Sequence, residues 1–269
     1  MFHFQEKNLT VFQSSLYKTT SAVVHSEEAI IMTDPTWLPE EIAEIQSHIQ
    51  EHLGDKQLYI IYTHSDFDHV IGSGAFPEAT VIASEGFQNN PKKEEVLEEM
   101  NAFDQEYYIE RNYEPRYPTI DRVISADGEK LELGDMTLTF YQAPGHTNDG
   151  LFTVIEPCGI FLSGDYLSDV EFPFIESGYH DYKETVEKAS WIMQHHDLNT
   201  HVPGHGNVTK QKQEIMDRID FSKQYLNRLL DDGTGLEKEC RNRFRFFEGM
   251  KNSHLENVER ASKEVNERK

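Results

Sequence analysis

The chain has 269 residues, 37% of them hydrophobic and 11% aromatic, which suits one large folded domain, or a domain with an appendage, and excludes a disordered chain. A net charge of −23 argues against nucleic acid as a partner. No apolar run approaches membrane-spanning length, MFHFQEKNLTVFQSS lacks the basic start and apolar block of a signal peptide, and Cys158 and Cys240 lie far apart, so the expectation is a cytoplasmic protein with two free thiols and no membrane contact.

Strands are expected at residues 9–13, 22–25 and 29–33, where β-branched and apolar residues run together. Asp34-Pro35 breaks the third. A helix is expected over 39–53, with Ile42, Ile45, Ile49 and Leu53 on one face and Gly54 ending it. Residues 57–62 form a buried strand, and the polar stretch THSDFDHV (63–70) follows it directly. A short strand at 80–83 precedes a charged helix over 92–111. Strands follow at 122–125, 130–133, 137–142, 151–156 and 159–163. An amphipathic helix spans 181–196, with Tyr182, Val186, Ala189 and Met193 in register, and a last strand covers 200–203.

Two helices finish the chain. One carries the stripe Ile215, Ile219, Ser222, Leu226 and Leu229; the other carries Leu236, Cys240, Phe244, Phe247 and Met250. Both stripes have the spacing of core-facing surfaces. The string RNRFRFF (241–247) places its aromatics on the second stripe, so it fits packing or a homodimer contact better than nucleic-acid binding. Residues 233–269 hold nine Lys/Arg against seven Asp/Glu, a charge of +2, which leaves −25 on the rest. The division expected is a body of residues 1–232 and a helical extension of residues 233–269 packing on it. Two strand-rich halves with helices outside suggest two packed sheets in a layered α/β architecture.

Potential ligands gather just past strands. His64, Asp66, Asp68 and His69 follow one strand; His146 lies in PGHT, Asp165 in SGD and His205 in PGHG. Singly, a His or Asp after a strand is usually a satisfied loop residue. Four loops each bearing imidazole or carboxylate are harder to explain that way, because loops on rigid strands are where ligands converge. The mixture suits two first-row divalent ions. In an extended segment His64, Asp66 and Asp68 would point the same way, with Asp68 and His69 aimed differently. His48, Glu51 and His52 also match H-x-x-E-H, but an isoleucine stripe accounts for that helix and no third ligand is apparent in the sequence. His180, on the loop after Asp165, lies where it could reach the mouth of such a site.

HSDFDH, PGHT, SGD and PGHG together resemble the metallo-β-lactamase superfamily, over roughly residues 22–205. The resemblance implies an αββα sandwich with metals at one edge between the sheets, here with a helical C-terminal extension. It implies that His64, Asp66 and His146 bind one ion, that Asp68, His69 and His205 bind the other, and that Asp165 bridges them. Asp34 matches the acidic residue that supports the ligand loop. Zinc is the ion the family most often implies. Asp66 departs from the commonest pattern, which has His there. Its oxygen favours manganese or iron relative to a histidine-rich site. It also brings the sum of two divalent ions, three carboxylates and one bridging hydroxide to about zero, one unit below the sum with His, so bound water is expected to be less acidified.

The leading expectation is a dinuclear metal-dependent hydrolase in which a metal-bridging hydroxide attacks an ester, thioester, lactone or phosphoester of a small molecule. Asp68 would orient the nucleophile, Tyr166 would donate to the developing oxyanion, and residues 167–182 would line the pocket. The alternatives are a diiron redox protein, for which no flavin-binding domain follows in this sequence, a phosphodiesterase or nuclease-like member, which the charge disfavours, and a catalytically inactive relative.

Overall fold

In the computed structural model, which describes residues 2–267, the strands form two sheets packed face to face. The first sheet runs in chain order: β1 (Phe2–Glu6), β2 (Leu9–Gln13), β3 (Thr20–His25), β4 (Ala29–Thr33), β5 (Gln57–Ile61), β6 (Thr80–Ser84) and β7 (Arg122–Ile124). Its first four strands are antiparallel, joined by short turns. From β4 to β7 pairing is parallel, which requires crossovers. These carry α1 (Pro39–Leu53), the single turn α2 (Phe67–Val70), α3 (Glu85–Gln88) and α4 (Lys93–Glu106). The second sheet holds β8 (Glu129–Leu133), β9 (Met136–Gln142), β10 (Leu151–Glu156), β11 (Ile160–Leu162) and β12 (Thr200–Val202), with α5 (Tyr179–His195) crossing from β11 to a parallel β12. The chain ends in α6 (Lys212–Arg228), α7 (Gly233–Arg243) and α8 (Phe247–Glu267).

Period-two alternation sends side chains to both faces of each strand. Val11, Val24, Ile31 and Ile61 meet Leu138, Phe140, Leu151 and Leu162 between the sheets. Val23, Ile30, Met32 and Ile60 face the other way, onto Ile42, Ile45 and Ile49 of α1. On the far side Phe152, Val154 and Phe161 pack against Tyr182, Val186 and Ala189 of α5 and against Ile215, Ile219 and Leu226 of α6. The result is the four-layer αββα sandwich. Both sheets are covered twice, so their central strands read as continuous apolar runs rather than as alternation.

Leu236 and Cys240 of α7 and Phe247 and Ala261 of α8 join the same apolar cluster as α5 and α6. The stripe expected on one helix is buried, but the helix is interrupted. Residues 244–246 leave helical geometry, Phe244 turns in to 1% exposure, and α8 starts afresh at Phe247. Three further differences from the sequence reading appear. β1 lengthens the first sheet by a mostly exposed edge strand. The charged helix stops at Glu106 rather than at 111. And the stretch after β5 is not extended: Asp66 precedes a helical turn that begins at Phe67.

At one edge the sheets are joined by backbone hydrogen bonds. Leu151 N–H donates to the Thr63 carbonyl at 2.7 Å, and Thr20 N–H donates to the Gly204 carbonyl at 2.7 Å. The strand ends that carry the candidate ligands are thereby held to each other. Ile45, fully buried between α1 and the first sheet, leaves a cavity if truncated. Ile45→Ala is expected to cost about 2–5 kcal/mol in urea denaturation; a loss below about 0.5 kcal/mol would mean that α1 is not a packed layer.

Candidate metal centre

Strand register brings the ligands together. β11 and β12 pair in parallel with Leu162 opposite Val202, so Asp165 and His205, each three residues on, emerge side by side. β4 and β5 pair with Thr33 opposite Ile61, which sets Asp34 beside Thr63. The turn between β9 and β10 carries His146. Asp66 precedes α2 in extended backbone while Asp68 and His69 lie within the helical turn, which takes Asp68 out of the alternation that an extended segment would impose. His64 and Asp66 therefore group with His146 and Asp165, while Asp68 groups with His69 and His205. The expectation that His64, Asp66 and Asp68 point one way is corrected for Asp68.

All four imidazoles are pinned through Nδ1. His69 Nδ1–H donates to Asp34 Oδ2 at 3.1 Å. His146 Nδ1–H donates to the Phe174 carbonyl and His205 Nδ1–H to the Tyr17 carbonyl, each at 2.9 Å. Thr63 donates its hydroxyl to Asp34 Oδ2 at 2.6 Å and, 3.0 Å from His64 Nδ1, accepts there. With the proton on Nδ1, each Nε2 presents a lone pair. These lone pairs meet carboxylates. Asp165 lies 3.6, 3.1, 3.3 and 3.1 Å from Nε2 of His64, His69, His146 and His205. Asp66 lies 3.1 Å from His146 Nε2 and 3.5 Å from His64 Nε2, and Asp68 lies 3.4 Å from His69 Nε2 and 3.5 Å from His205 Nε2.

A lone pair facing a carboxylate repels it unless a proton or a cation lies between them. Buried Nε2 of His64 and Oδ1 of Asp165 have no hydrogen-bond partner. Two ligands on one ion at metal–ligand lengths near 2.1 Å sit about 3.4 Å apart at tetrahedral angles, which matches the separations here. The clusters are thus capable of holding metal ions. Without an ion, protons must fill the role. Burial and His69 pull the His64 pKa down, but Asp165 and Asp66 outweigh them and push it up to about 9. His205, lowered by burial and raised more by Asp165 and Glu171, reaches about 10. His69 and His146 stand well above the ordinary value for the same reason. Burial opposes ionisation of Asp66 and Asp165, yet the facing imidazoles hold both well below the carboxylate range.

Two glycines make room. Gly204 lies so close to Asp165 that a Cβ would come within 2.3 Å of Oδ1, and Gly145, at φ +129°, abuts the backbone of Tyr182. Tyr166 does not point into the cluster. Its hydroxyl accepts from His146 N–H at 2.9 Å and has the Ala143 and Pro144 carbonyls at 3.0 and 2.9 Å to donate to. It holds the His146 turn, which corrects the oxyanion-donor role. His180, its Nε2 buried without a partner, belongs to none of the ligand groups found among the described residues. His48 and His52 do have a third imidazole nearby, His25, whose Nε2 is 3.1 Å from His48 Nε2, but these three also fall outside those groups. Glu171 was not singled out from the sequence. It groups with Asp165 and His205, with Oε1 3.9 Å from His205 Nδ1. Burial pushes its carboxyl up against the pull of His205, and Asp165 and Asp68 add to the rise, to about 7. Its one sequence signal is a place six residues after Asp165.

A family model described as the metallo-β-lactamase superfamily matches residues 16–214. The chain belongs to this superfamily. Bovine mitochondrial persulfide dioxygenase ETHE1 is 23% identical over 168 residues, 60% of this chain and 54% of that protein. The chain spans about half the length, 40% and 54%, of two curated relatives it matches. A metallo-β-lactamase family protein of Thermus thermophilus shares the fold with a TM-score of 0.62 at 19% identity, over 93% of this chain and 92% of that one. So does a B3 metallo-β-lactamase with an active-site glutamic acid, with a TM-score of 0.56 at 18% identity, over 85% and 88%. Among the described residues no helix is long and apolar enough to cross a membrane.

Within this superfamily member, Asp34→Asn keeps the shape but weakens the acceptor that orients His69. It is expected to lower metal affinity about 10–100-fold, read by competition with a chromogenic chelator; unchanged affinity would deny Asp34 that role. A pH effect follows with a definite sign. The raised imidazole pKa values contribute stability that is complete below the ordinary value of 6.5 and is lost as pH rises through about 9 to 10. Chelator-treated protein should therefore lose Tm across that window while metal-loaded protein holds it. Parallel Tm curves would show that protons do not stand in for an ion.

Proposed function

We propose that this chain is a hydrolase that holds two divalent ions, one on His64, Asp66 and His146, the other on Asp68, His69 and His205, with Asp165 shared. The observation that carries the reading is the convergence of four Nδ1-pinned imidazoles on three carboxylates, an arrangement that without an ion only proton uptake by the imidazoles offsets. Ions bound there would supply an activated water and polarise the oxygen of a scissile ester, thioester, lactone or phosphoester.

The chain's own groups do the positioning. Asp68 accepts from the Thr19 hydroxyl at 3.3 Å, which fixes its carboxylate to orient the attacking water. Asp66 is the most open of the three carboxylates, with 29% of its side chain exposed against 11% for Asp68 and 9% for Asp165. Substrate therefore approaches on the Asp66 side. Asp66 also replaces an imidazole by an oxygen donor, which suits manganese or iron better than a histidine there would, while zinc remains the ion the family most often implies. The β-lactamase neighbour with an active-site glutamic acid supports a carboxylate in a working site of this fold. Substrates are small molecules and the partner is neither nucleic acid nor membrane; a homodimer through the C-terminal helices is compatible with this chemistry.

A second reading rests on the similarity to a persulfide dioxygenase. Two imidazoles and one carboxylate, His64, His146 and Asp165, match the donor set of non-haem iron oxygenases. Elemental analysis with a visible spectrum separates the two. About two zinc or manganese ions per chain, no colour, and turnover of an ester or phosphoester support the hydrolase. One iron with absorbance, and no hydrolysis, would replace it with redox chemistry. Asp66→Ala is expected to lower the metal content, and Asp66→His to raise zinc occupancy and esterase rate. Unchanged metal and rate in Asp66→Ala would remove Asp66 from the ligands.

A further inference from the structure

The inner face of α8 is not wholly apolar. Its buried positions are Phe247, His254, Asn257 and Ala261, and a polar side chain buried in a helix is costly unless its hydrogen bonds are made. Both polar residues are satisfied. The Tyr225 hydroxyl on α6 donates to His254 Nδ1 at 2.9 Å, and His254 Nε2–H donates to the Gly233 carbonyl at 3.3 Å. Asn257, 1% exposed, makes three bonds. Its Nδ2 donates to the Tyr225 hydroxyl at 2.9 Å and to the Pro173 carbonyl at 2.6 Å, and its Oδ1 accepts from Ile175 N–H at 2.8 Å. The side chain thus pairs with the peptide groups on either side of Phe174, as a neighbouring strand would. About two turns further along α8, Glu264 accepts from Tyr179 N–H at 2.6 Å and His180 N–H at 3.4 Å. The last helix therefore grips residues 173–180 at two points.

One of those peptide groups reaches the candidate centre. Ile175 N–H and the Phe174 carbonyl belong to a single planar trans peptide and point in opposite directions. Asn257 Oδ1 holds one end, and the other end accepts from His146 Nδ1–H at 2.9 Å. Asn257 and His146 thus sit at opposite ends of one rigid unit. The residues that follow close on the same turn, with Glu176 and Ser177 N–H both donating to the His146 carbonyl at 2.9 Å. His146 differs here from the other three imidazoles. Their Nδ1 partners, Asp34, Thr63 and the Tyr17 carbonyl, stand in loops at the ends of first-sheet strands. The partner of His146 lies between β11 and α5, in a segment with no sheet pairing of its own, so its peptide plane keeps its direction only if something else fixes the N–H end. That support comes from α8, which lies beyond the residues 16–214 matched by the family model.

We propose that Asn257 is a positioning residue for the metal centre: by holding the Phe174–Ile175 peptide it aims that peptide's carbonyl at His146 Nδ1, and so fixes the direction in which His146 Nε2 meets an ion. The role rests on the reading of His146 as a metal ligand. Asn257→Leu keeps the volume and removes all three bonds. In cobalt(II) titrations of the full chain it is expected to lower the affinity of the site containing His146 about tenfold, the lower end of what losing an outer hydrogen-bond partner costs, while the site of Asp68, His69 and His205 changes by less than about twofold. In proton NMR of the cobalt-loaded chain, the exchangeable His146 Nδ1–H signal, assigned by its absence in His146→Ala, should shift and exchange faster with solvent, with the His69 and His205 signals unmoved. Asn257→Ala should do the same, and it serves if Asn257→Leu does not fold. Asn257→Asp keeps the acceptor for Ile175 N–H and should retain the parent signal. Leu236→Ala, on α7 in the same apolar cluster, weakens the extension without touching Asn257 and should lower Tm while leaving the His146 signal in place. An unmoved signal with unchanged affinity in the Leu and Ala variants, or the same selective loss in Leu236→Ala, would overturn the role and leave the metal reading standing. A parent chain that binds no cobalt would overturn that reading, and the role with it.

Discussion

Asp165 is the carboxylate on which the centre depends. It stands within 3.6 Å of four imidazole nitrogens whose other nitrogens are already committed elsewhere. That geometry is unfavourable by itself. Protons satisfy it partially, as the raised histidine pKa values show, and divalent ions satisfy it better because each can draw on several lone pairs at once. The protein holds the arrangement because the rest of the fold leaves these groups little freedom to turn away.

Part of that restraint is backbone. Equal offsets from paired residues on β11 and β12 place Asp165 beside His205. Hydrogen bonds from Leu151 to Thr63 and from Thr20 to Gly204 fasten the two sheets at the edge where the ligand loops emerge. Part of it is side chain. Asp34, at 1% exposure, accepts from Thr63 N–H at 2.8 Å and from the Thr63 hydroxyl, and it also receives His69. One buried carboxylate thus sets the orientation of two imidazoles, one directly and one through a hydroxyl.

The same economy of charge explains the surroundings. Three carboxylates and a bridging hydroxide would bring two divalent ions to a net charge of about zero, so such a centre would exert little pull on anions. The exposed carboxylates of Glu95, Glu99 and Glu176 beside Asp66 reinforce that bias. The chain's overall charge of −23 is mostly solvated surface, where salt screens it.

The sequence by itself determined the layered class, the positions of most strands and helices, and the ligand types, because apolar periodicity and strand-end loops are local properties of the chain. It also identified the metallo-β-lactamase resemblance through motifs whose residues all came to one edge. It did not show β1, whose side chains are mostly exposed and carry little apolar signal. Nor did it show the break at residues 244–246, where an unbroken helical stripe conceals a change of direction required by packing on α5 and α6. At the centre, the helical turn that takes Asp68 out of the alternation with Asp66, the commitment of the Tyr166 hydroxyl to the His146 turn, and the arrival of Glu171 beside His205 were decided only by tertiary structure. Each depends on partners far away in the chain, and spacing along a sequence carries no record of which distant atom a side chain will meet.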